Sequence, residues 1–251
     1  MAAGRTDIHF HLIPGVDDGP GSMAEAVDLA WAAARDGTST VVATPHVRSD
    51  WVTDVWELRD RVRALKAALA DDDVPVSVGL GGELGHDMVG RLRQDELEVI
   101  AQGPPRRRWL LLETPFEGLT PGFNACADEL RDRGFAVVLA HPERSPGLLA
   151  EHRTGLDHEL SAGSALQLNG CSLAGHHGVD ARRTALRLVE LGIATAIASD
   201  AHGGERRPAM TLGHNAAVAA GIAPGVARAL VDSGPHRLVA RGLDPVPATL
   251  G

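Results

Sequence analysis

The chain has 251 residues, 44% of them hydrophobic and 23% charged, a composition that supplies a sizeable core and excludes disorder. Its formal net charge of −9 disfavours nucleic acid as a partner, because an acidic chain gains little from counterion release. Two cysteines make no disulfide framework, and no signal peptide or apolar run of about 20 residues stands out. We therefore expect a cytoplasmic protein without an integral membrane segment.

Short apolar stretches alternate with amphipathic ones along the chain. The first predicted strand is 7–12, and the helix after it begins at a capping box of Ser22 and Glu25 and stops at Gly37. Further strands are predicted at 40–44, 76–80, 109–112, 136–140, 165–168 and 194–198. Further helices are predicted near 54–70, 86–93, 122–133, 145–162, 180–191, 211–220, 224–232 and 235–241.

Seven strands alternating with helices predict an α/β fold built on parallel strands. Aromatic residues make up only 3% of the chain and Tyr is absent, so the core must consist of Ala, Val, Leu and Ile. Such a core suits parallel strands that helices cover. Because no long linker divides the units, we predict one domain over residues 1–251, a closed or nearly closed barrel rather than a doubly wound sheet.

Polar side chains stand at or just after the ends of the predicted strands. They are His9, His11, His46, Glu83, Glu113, His141, Asn169, Asp200 and His202. In a parallel barrel the carboxyl ends of all strands meet at one face, so these side chains should converge. Clustered carboxylates repel each other and unpaired polar groups are costly to bury, whereas divalent cations remove both costs. The set predicts a zinc, manganese or iron site, although any one of these histidines, taken alone, could simply cap its strand.

Seven motifs in chain order resemble those of the PHP (polymerase and histidinol phosphatase) superfamily, and more narrowly the bacterial PHP-type protein tyrosine phosphatases of capsule and exopolysaccharide loci. The resemblance covers roughly residues 6 to 240. The motifs are Asp7-Ile8-His9-Phe10-His11 through Asp17-Asp18-Gly19, Thr44-Pro45-His46, Gly82-Glu83, Leu112-Glu113, His141-Pro142-Glu143-Arg144, Gln167-Leu168-Asn169, and Ser199-Asp200-Ala201-His202 followed by Arg207-Pro208.

The resemblance implies a distorted (β/α)7 barrel of PHP type with a trinuclear metal centre. It implies three divalent ions, with manganese expected and iron or zinc as alternatives. The implied ligands are His9, His11, Asp18, His46, Glu83, Glu113, His141, Asp200 and His202, with Glu83 or Glu113 bridging two ions. Arg144 and Arg207 would hold the phosphate, and the catalytic set would be Arg144, Arg207, Asp200 and His202.

The implied function is a metal-dependent phosphomonoesterase that uses metal-activated hydroxide on phosphotyrosine in a protein, such as a cognate tyrosine kinase of polysaccharide synthesis. One alternative is a phosphatase of a small metabolite, such as histidinol phosphate or a sugar or nucleotide monophosphate. Another is a non-catalytic metal-bound module, which the complete ligand set disfavours.

A cysteine-based phosphatase mechanism finds no support in the sequence, because such an enzyme needs an Arg six residues after its Cys. Cys126 is followed by Arg131 five residues later, inside a predicted helix, and the sixth residue after Cys171 is His177. Trp51 and Trp56 follow His46 in an expected substrate-facing loop. Each could stack on a phosphotyrosine ring or pack the helix that begins near residue 54.

Overall fold

The computed structural model describes residues 4–150 and 154–246. The strands are β1 (Arg5–Phe10), β2 (Thr38–Ala43), β3 (His46–Val47), β4 (Ser77–Leu80), β5 (Glu83–Leu84), β6 (Trp109–Glu113), β7 (Ala136–Ala140), β8 (Ala165–Asn169) and β9 (Ala194–Ala198). The α-helices are α1 (Met23–Arg35), α2 (Glu57–Asp71), α3 (Gln94–Ile100), α4 (Pro121–Asp132), α5 (Thr154–Ser161), α6 (Gly170–Ala174), α7 (Val179–Glu190), α8 (Met210–Ala219), α9 (Pro224–Val231) and α10 (Ser233–Arg241). Short 3₁₀ turns lie at His86–Met88 and Pro142–Arg144.

The fold is α/β with parallel sheets, as predicted. One sheet has the order β1-β2-β4 and the other the order β3-β5-β6-β7-β8-β9. Every pairing between neighbouring strands in both sheets is parallel. From β5 onward the strands follow chain order, with helices in the connections, so their carboxyl ends all lie on the same side.

The described part of the chain contains nine strand segments, against seven predicted strands. Two pairs of successive segments are separated by only two residues each. Thr44 and Pro45 separate β2 from β3, and Pro45 has no N–H to donate to a ladder. Gly81 and Gly82 separate β4 from β5. The broken stretches still touch, since the Gly81 N–H donates to Ala43 O at 2.8 Å and the Glu83 N–H to Pro45 O at 2.9 Å.

Two helix predictions differ from the structure, and two helices were not predicted. The helix predicted at 86–93 is only the 3₁₀ turn at His86–Met88, and the unpredicted α3 begins after it, where the Glu96 carboxylate accepts from the Arg93 N–H at 2.8 Å. Of the helix predicted over 145–162, residues 151–153 lie outside the described residues and the described part is helical only in α5, because the chain passes through Pro146 and a left-handed Gly147. The short helix α6 was not predicted, since five residues carry too little periodicity.

The core consists of the apolar side chains that the composition requires. On α1 the buried residues include Ala26, Leu29, Ala30 and Ala33, which is the face predicted from the sequence. Trp109 is the largest wholly buried side chain, and its indole N–H donates to Leu238 O at 2.8 Å, which attaches α10 to the strands. No helix in the described residues is long and apolar enough to cross a membrane.

Gly82 supplies a first test of how the interrupted strands are held next to the Glu83 carboxylate. A Cβ at this position would lie 2.9 Å from Val47 Cγ2 and 3.1 Å from Ile100 Cβ. We expect Gly82→Ala to lower the free energy of unfolding by about 1–3 kcal/mol through overpacking. Urea unfolding followed by circular dichroism measures the change.

Gly225→Ala is the matched control. A Cβ there would meet no described atom within 4 Å, so stability should stay constant or rise by up to about 1 kcal/mol. Equal effects of the two substitutions would contradict the close packing inferred at Gly82.

Candidate metal centre

All nine side chains predicted as metal ligands lie together at the carboxyl ends of the strands. Their candidate ligand atoms come within 4.8 Å of one another in four overlapping groups. The groups are His11, Asp18, His46 and His202; His9, Glu83 and His141; His9, His11 and Asp200; and His46, Glu83 and Glu113. Four of the residues belong to two groups each, so the cluster is continuous.

Backbone hydrogen bonds bring the first and last candidate ligands of the chain together. His9 and Phe10 are the last two residues of β1, and Asp200 lies two residues after the end of β9. The Asp200 N–H donates to His9 O at 2.9 Å. The His11 N–H donates to Ala201 O at the same distance. Asp200 and His141 adopt left-handed backbone, with φ of 50° and 37°. Such a conformation costs a non-glycine residue of the order of 1–3 kcal/mol and tends to be kept where a side chain must be aimed.

The hydrogen bonds of Gln167 fix the tautomer of His9. Gln167 Nε2 donates to Asn169 Oδ1 at 2.9 Å, so the other amide atom, Oε1, is an acceptor. That oxygen accepts from the His141 N–H at 3.3 Å and lies 2.9 Å from His9 Nδ1. His9 Nδ1 must therefore carry a proton, which leaves the lone pair of a neutral imidazole on Nε2.

His11 has the same arrangement with a different partner. Its Nδ1 lies 2.7 Å from the Asp17 carboxylate, which can only accept when ionised. Its Nε2 lies 3.3 Å from His9 Nε2. In two neutral rings, lone pairs at this distance would repel each other unless a metal ion lay beside both, whereas a proton on either nitrogen would join the rings by a hydrogen bond. A carboxylate or amide behind each ligating imidazole is also the usual second partner at metal sites, so the pair fits a metal ion.

Several buried polar atoms in the cluster have a close neighbour and no hydrogen bond. His46 Nδ1 lies 2.9 Å from Glu83 Oε2, yet neither atom has a hydrogen-bond partner among the described residues. His202 Nε2 is likewise unpartnered although it lies 3.0 Å from Asp18 Oδ1. Nitrogen and oxygen atoms that lie this close together without a hydrogen bond between them are arranged as the ligands of a common ion would be. The residues present therefore fit divalent metal.

The charges of the cluster also call for cations. Burial would raise the pKa of Glu83, but His9 and His46 hold it well below its usual range. Burial would lower the pKa of His46, but Glu83 and Asp18 outweigh that effect and raise it to about 10. Burial and the neighbouring Glu83 raise the pKa of Glu113. The carboxylates thus draw positive charge into the centre, from protons or from metal.

Arg144 and Arg206 reach the Asp200 side of the cluster, and only Arg144 was predicted. Arg144 Nη1 lies 3.5 Å from Asp200 Oδ2. Arg206 Nη2 lies 3.2 Å from Asp200 Oδ1, and its Nη1 lies 2.9 Å from Asp18 Oδ2. Arg207 is exposed, and in the described structure its side chain makes no hydrogen bond or ion pair with the cluster.

The sequence analysis also missed the residues that hold the predicted ligands in place. Asp17 orients His11, Gln167 orients His9, and Arg48 Nη1 lies 3.1 Å from both oxygens of Glu113. Asn169 was noted at its strand end, and its amide donates to Asp200 Oδ2 at 2.8 Å. Gln167 and Asn169 lie two residues apart on β8, and side chains at that spacing share a face of the strand. This spacing was the signal in the sequence that could have identified Gln167.

The structure gives the two cysteines no role in this cluster. Burial raises the pKa of the Cys126 thiol, which lies on α4, and that of the Cys171 thiol on α6. A raised pKa disfavours the thiolate that a nucleophilic mechanism requires. His152, which follows no predicted strand, lies outside the described residues.

Asp17 tests whether the cluster binds metal through pre-oriented imidazoles. We expect Asp17→Asn to weaken the affinity for Mn²⁺ about 10–100-fold, because a carboxylate behind a ligand raises its basicity and fixes its ring. Competition with a fluorescent chelator measures the affinity. Asp60→Asn, an exposed carboxylate on α2 that pairs with Arg63, is the matched control. Equal affinities in all three proteins would contradict the role assigned to Asp17.

Comparisons with known proteins agree with this site. The family model of capsular polysaccharide synthesis proteins CpsB/CapC matches residues 5–239. The chain is 32% identical over 197 residues to the tyrosine-protein phosphatase YwqE of Bacillus subtilis (strain 168), which covers 78% of this chain and 76% of that protein. It is 31% identical over 208 residues to the putative tyrosine-protein phosphatase CapC of Staphylococcus aureus, with coverage of 81% and 79%.

Solved structures extend the likeness to the fold. One matches with a TM-score of 0.82 and 28% identity over 97% of this chain and 99% of that chain; it belongs to work on YwqE from Bacillus subtilis and CpsB from Streptococcus pneumoniae, described as metal-dependent tyrosine phosphatases. A phosphotriesterase homology protein from Escherichia coli, 12% identical with a TM-score of 0.57 over 94% of this chain and 99% of that one, shares the fold alone. The family match runs from β1 into α10 and includes every candidate ligand, so this chain belongs to the CpsB/CapC family of capsular polysaccharide synthesis proteins.

Proposed function

We propose that this chain is a metal-dependent phosphatase that removes phosphate from tyrosine in a protein. The observation that carries the proposal is the pair of His9 and His11 Nε2 atoms, 3.3 Å apart within a nine-residue set of metal-binding groups. The relatives named as tyrosine phosphatases support the substrate class. The description of YwqE and CpsB as metal-dependent supports the chemistry.

The nine side chains would hold three divalent ions, with manganese expected and iron or zinc as alternatives. The four overlapping groups share residues, which supports ions joined by common ligands. Glu83 is the proposed bridge, because its Oε1 lies 2.9 Å from His141 Nε2 and its Oε2 lies 2.9 Å from His46 Nδ1. When bound, such ions lower the pKa of bound water towards neutrality and offset charge on phosphoryl oxygens.

Arginine side chains would bind the phosphoryl group at the edge of this centre. Arg144 lies beside Asp200, and a guanidinium can pair bidentately with phosphate oxygens. The resemblance selects Arg207 as the second phosphate ligand, and this stays a prediction. The contacts of Arg206 with Asp18 and Asp200 make it a second candidate.

The size of the neighbouring cleft supports a polypeptide substrate over a small metabolite. A cleft of about 1100 Å³ begins at Glu143 and Arg144 and runs along α7, with His177 and Arg182 on its wall. A small phosphate ester would need a far smaller space. A tyrosine kinase of polysaccharide synthesis is the proposed partner, in keeping with the family to which the chain belongs.

We also infer that the strand segments form one distorted (β/α)7 barrel in a single domain. Two pairs of segments, β2 with β3 and β4 with β5, would each count as one interrupted strand. The parallel bridge between Phe10 and Ala201 supports closure of the barrel between β1 and the end of β9.

Metal removal tests the proposed function directly. Purified protein should contain close to three divalent ions per chain. We expect His9→Ala and Asp200→Ala to bind fewer ions and to lower kcat/KM for p-nitrophenyl phosphate by at least about 100-fold, because each removes a ligand of the catalytic ions. Asp180→Ala, an exposed carboxylate on α7, should retain activity. Full activity after exhaustive chelation would exclude metal-dependent hydrolysis.

Arg144 tests the assignment of the phosphate site. We expect Arg144→Ala to lower kcat/KM for p-nitrophenyl phosphate and to raise the inhibition constant of inorganic phosphate, each about 10–100-fold, through loss of charge-assisted hydrogen bonds. Arg91→Ala, an exposed arginine elsewhere, is the control. An unchanged inhibition constant would remove Arg144 from the phosphate site. Arg206→Ala and Arg207→Ala measured side by side identify the second arginine by the larger rise.

A further inference from the structure

Exposed aromatic side chains are confined to the mouth of the candidate metal centre. The chain has four Phe, four Trp and no Tyr, and all eight rings lie within the described residues. Six are buried or half-buried, whereas Phe116 is 48% exposed and Trp51 is 43% exposed. Large apolar surface left in water is unfavourable, so two such rings at one functional site call for a reason.

Phe116 lies against both the candidate metal ligands and the proposed phosphate site. It stands three residues beyond Glu113, the last residue of β6. Its ring is nearly parallel to that of His141, at an interplanar angle of 7° and a centroid distance of 6.4 Å. The guanidinium carbon of Arg144 lies 4.8 Å from the Phe116 ring centroid, within cation–π range.

Trp51 stands over a candidate ligand from a different loop. It follows β3, and its ring lies 6.3 Å from that of His46 at an interplanar angle of 18°. Trp56, the other tryptophan of this loop, is half-buried against the core and carries Arg59 over its ring at 4.8 Å. Trp56 therefore packs against the core, one of the two roles that the sequence left open, whereas Trp51 faces solvent beside the centre.

The group attached to the ester oxygen of the substrate determines what the exposed Phe116 and Trp51 rings contact. A phosphoryl group on Arg144 places its ester oxygen, and the group attached to that oxygen, beside Phe116, because the same guanidinium contacts the Phe116 ring. When the attached group is a phenyl ring, it gains stacking with aromatic neighbours; an alkyl group gains no such interaction.

We propose that Phe116 and Trp51 form an aryl-recognition surface that selects phosphate esters of phenols, such as phosphotyrosine, over those of alcohols, such as phosphoserine. This inference rests on the proposed phosphatase function. The rings are specificity-determining residues, since they act on the group attached to phosphate.

A second role for Phe116 must be separated from aryl recognition. Its ring also covers one face of Arg144, which leaves the N–H edge of the guanidinium for phosphate and holds it in place. Loss of that positioning would weaken all phosphate esters alike. Loss of aryl recognition would weaken phenyl esters alone, so the ratio between two matched substrates distinguishes the two roles.

The experiment uses the metal-loaded protein and one peptide sequence carrying either phosphotyrosine or phosphoserine. We expect Phe116→Ala and Trp51→Ala each to lower the ratio of kcat/KM for the phosphotyrosine peptide to kcat/KM for the phosphoserine peptide about three- to tenfold. Phe116→Leu, which keeps apolar volume without the π-face, should lose most of the same preference. Leu212→Ala, which removes an exposed apolar side chain on α8, should change neither substrate.

Binding of phosphonates supplies a readout independent of turnover. We expect wild-type protein to bind benzylphosphonate more tightly than methylphosphonate in calorimetry. Phe116→Ala and Trp51→Ala should each reduce that preference about three- to tenfold. Equal losses for aryl and alkyl compounds, or no loss for either, would overturn the proposal. If wild-type protein hydrolyses no phosphate ester, the proposed function fails, and the phosphonate preference still decides whether the aryl surface exists.

Discussion

Two imidazole nitrogens face each other at the centre of this protein, and much of the surrounding structure is explained by that contact. His9 Nε2 and His11 Nε2 lie 3.3 Å apart, and neither ring can turn its Nε2 away. Gln167 holds the far nitrogen of one ring and Asp17 that of the other. The strand geometry places both rings on one side of the chain, and a proton or a metal ion makes the arrangement favourable. The carboxylates that gather around the pair follow from the same need.

Asp7 keeps the two ligand-bearing strand ends together by a different means. Its carboxylate is buried and accepts hydrogen bonds from the Ser199 N–H at 3.1 and 3.2 Å and from the His9 N–H at 3.3 Å. Burial raises the pKa of Asp7 to about 6, which shows that these donors only partly replace water. These hydrogen bonds hold the end of β1, which carries His9, next to the segment after β9, which carries Asp200.

The sequence predicted which side chains cluster, because parallel strands place their carboxyl ends at one face. His46, Glu83 and His141 needed only a strand assignment to be brought together. What orients them could not be read in this way, since loop geometry decides which of the neighbouring Asp17 and Asp18 carboxylates contacts His11. In the same way, loop geometry decides which of the neighbouring Arg206 and Arg207, in the loop before α8, contacts the candidate metal centre. The sequence did not predict that β5 follows β4 so closely, because Gly81 and Gly82 are typical of the end of a strand. Their close packing depends on residues that are distant in the sequence.

The charge balance explains how an acidic chain can attract a phosphate ester. Three arginines near the centre pair with its carboxylates: Arg144 with Asp200, Arg206 with Asp200 and Asp18, and Arg48 with Glu113. Divalent cations held by Asp18 and Asp200 would offset the charge of these carboxylates, and the N–H groups of Arg144 and Arg206 could then bind phosphoryl oxygens. Because metal and guanidinium groups share the same carboxylates, metal binding would favour phosphate binding at this acidic centre.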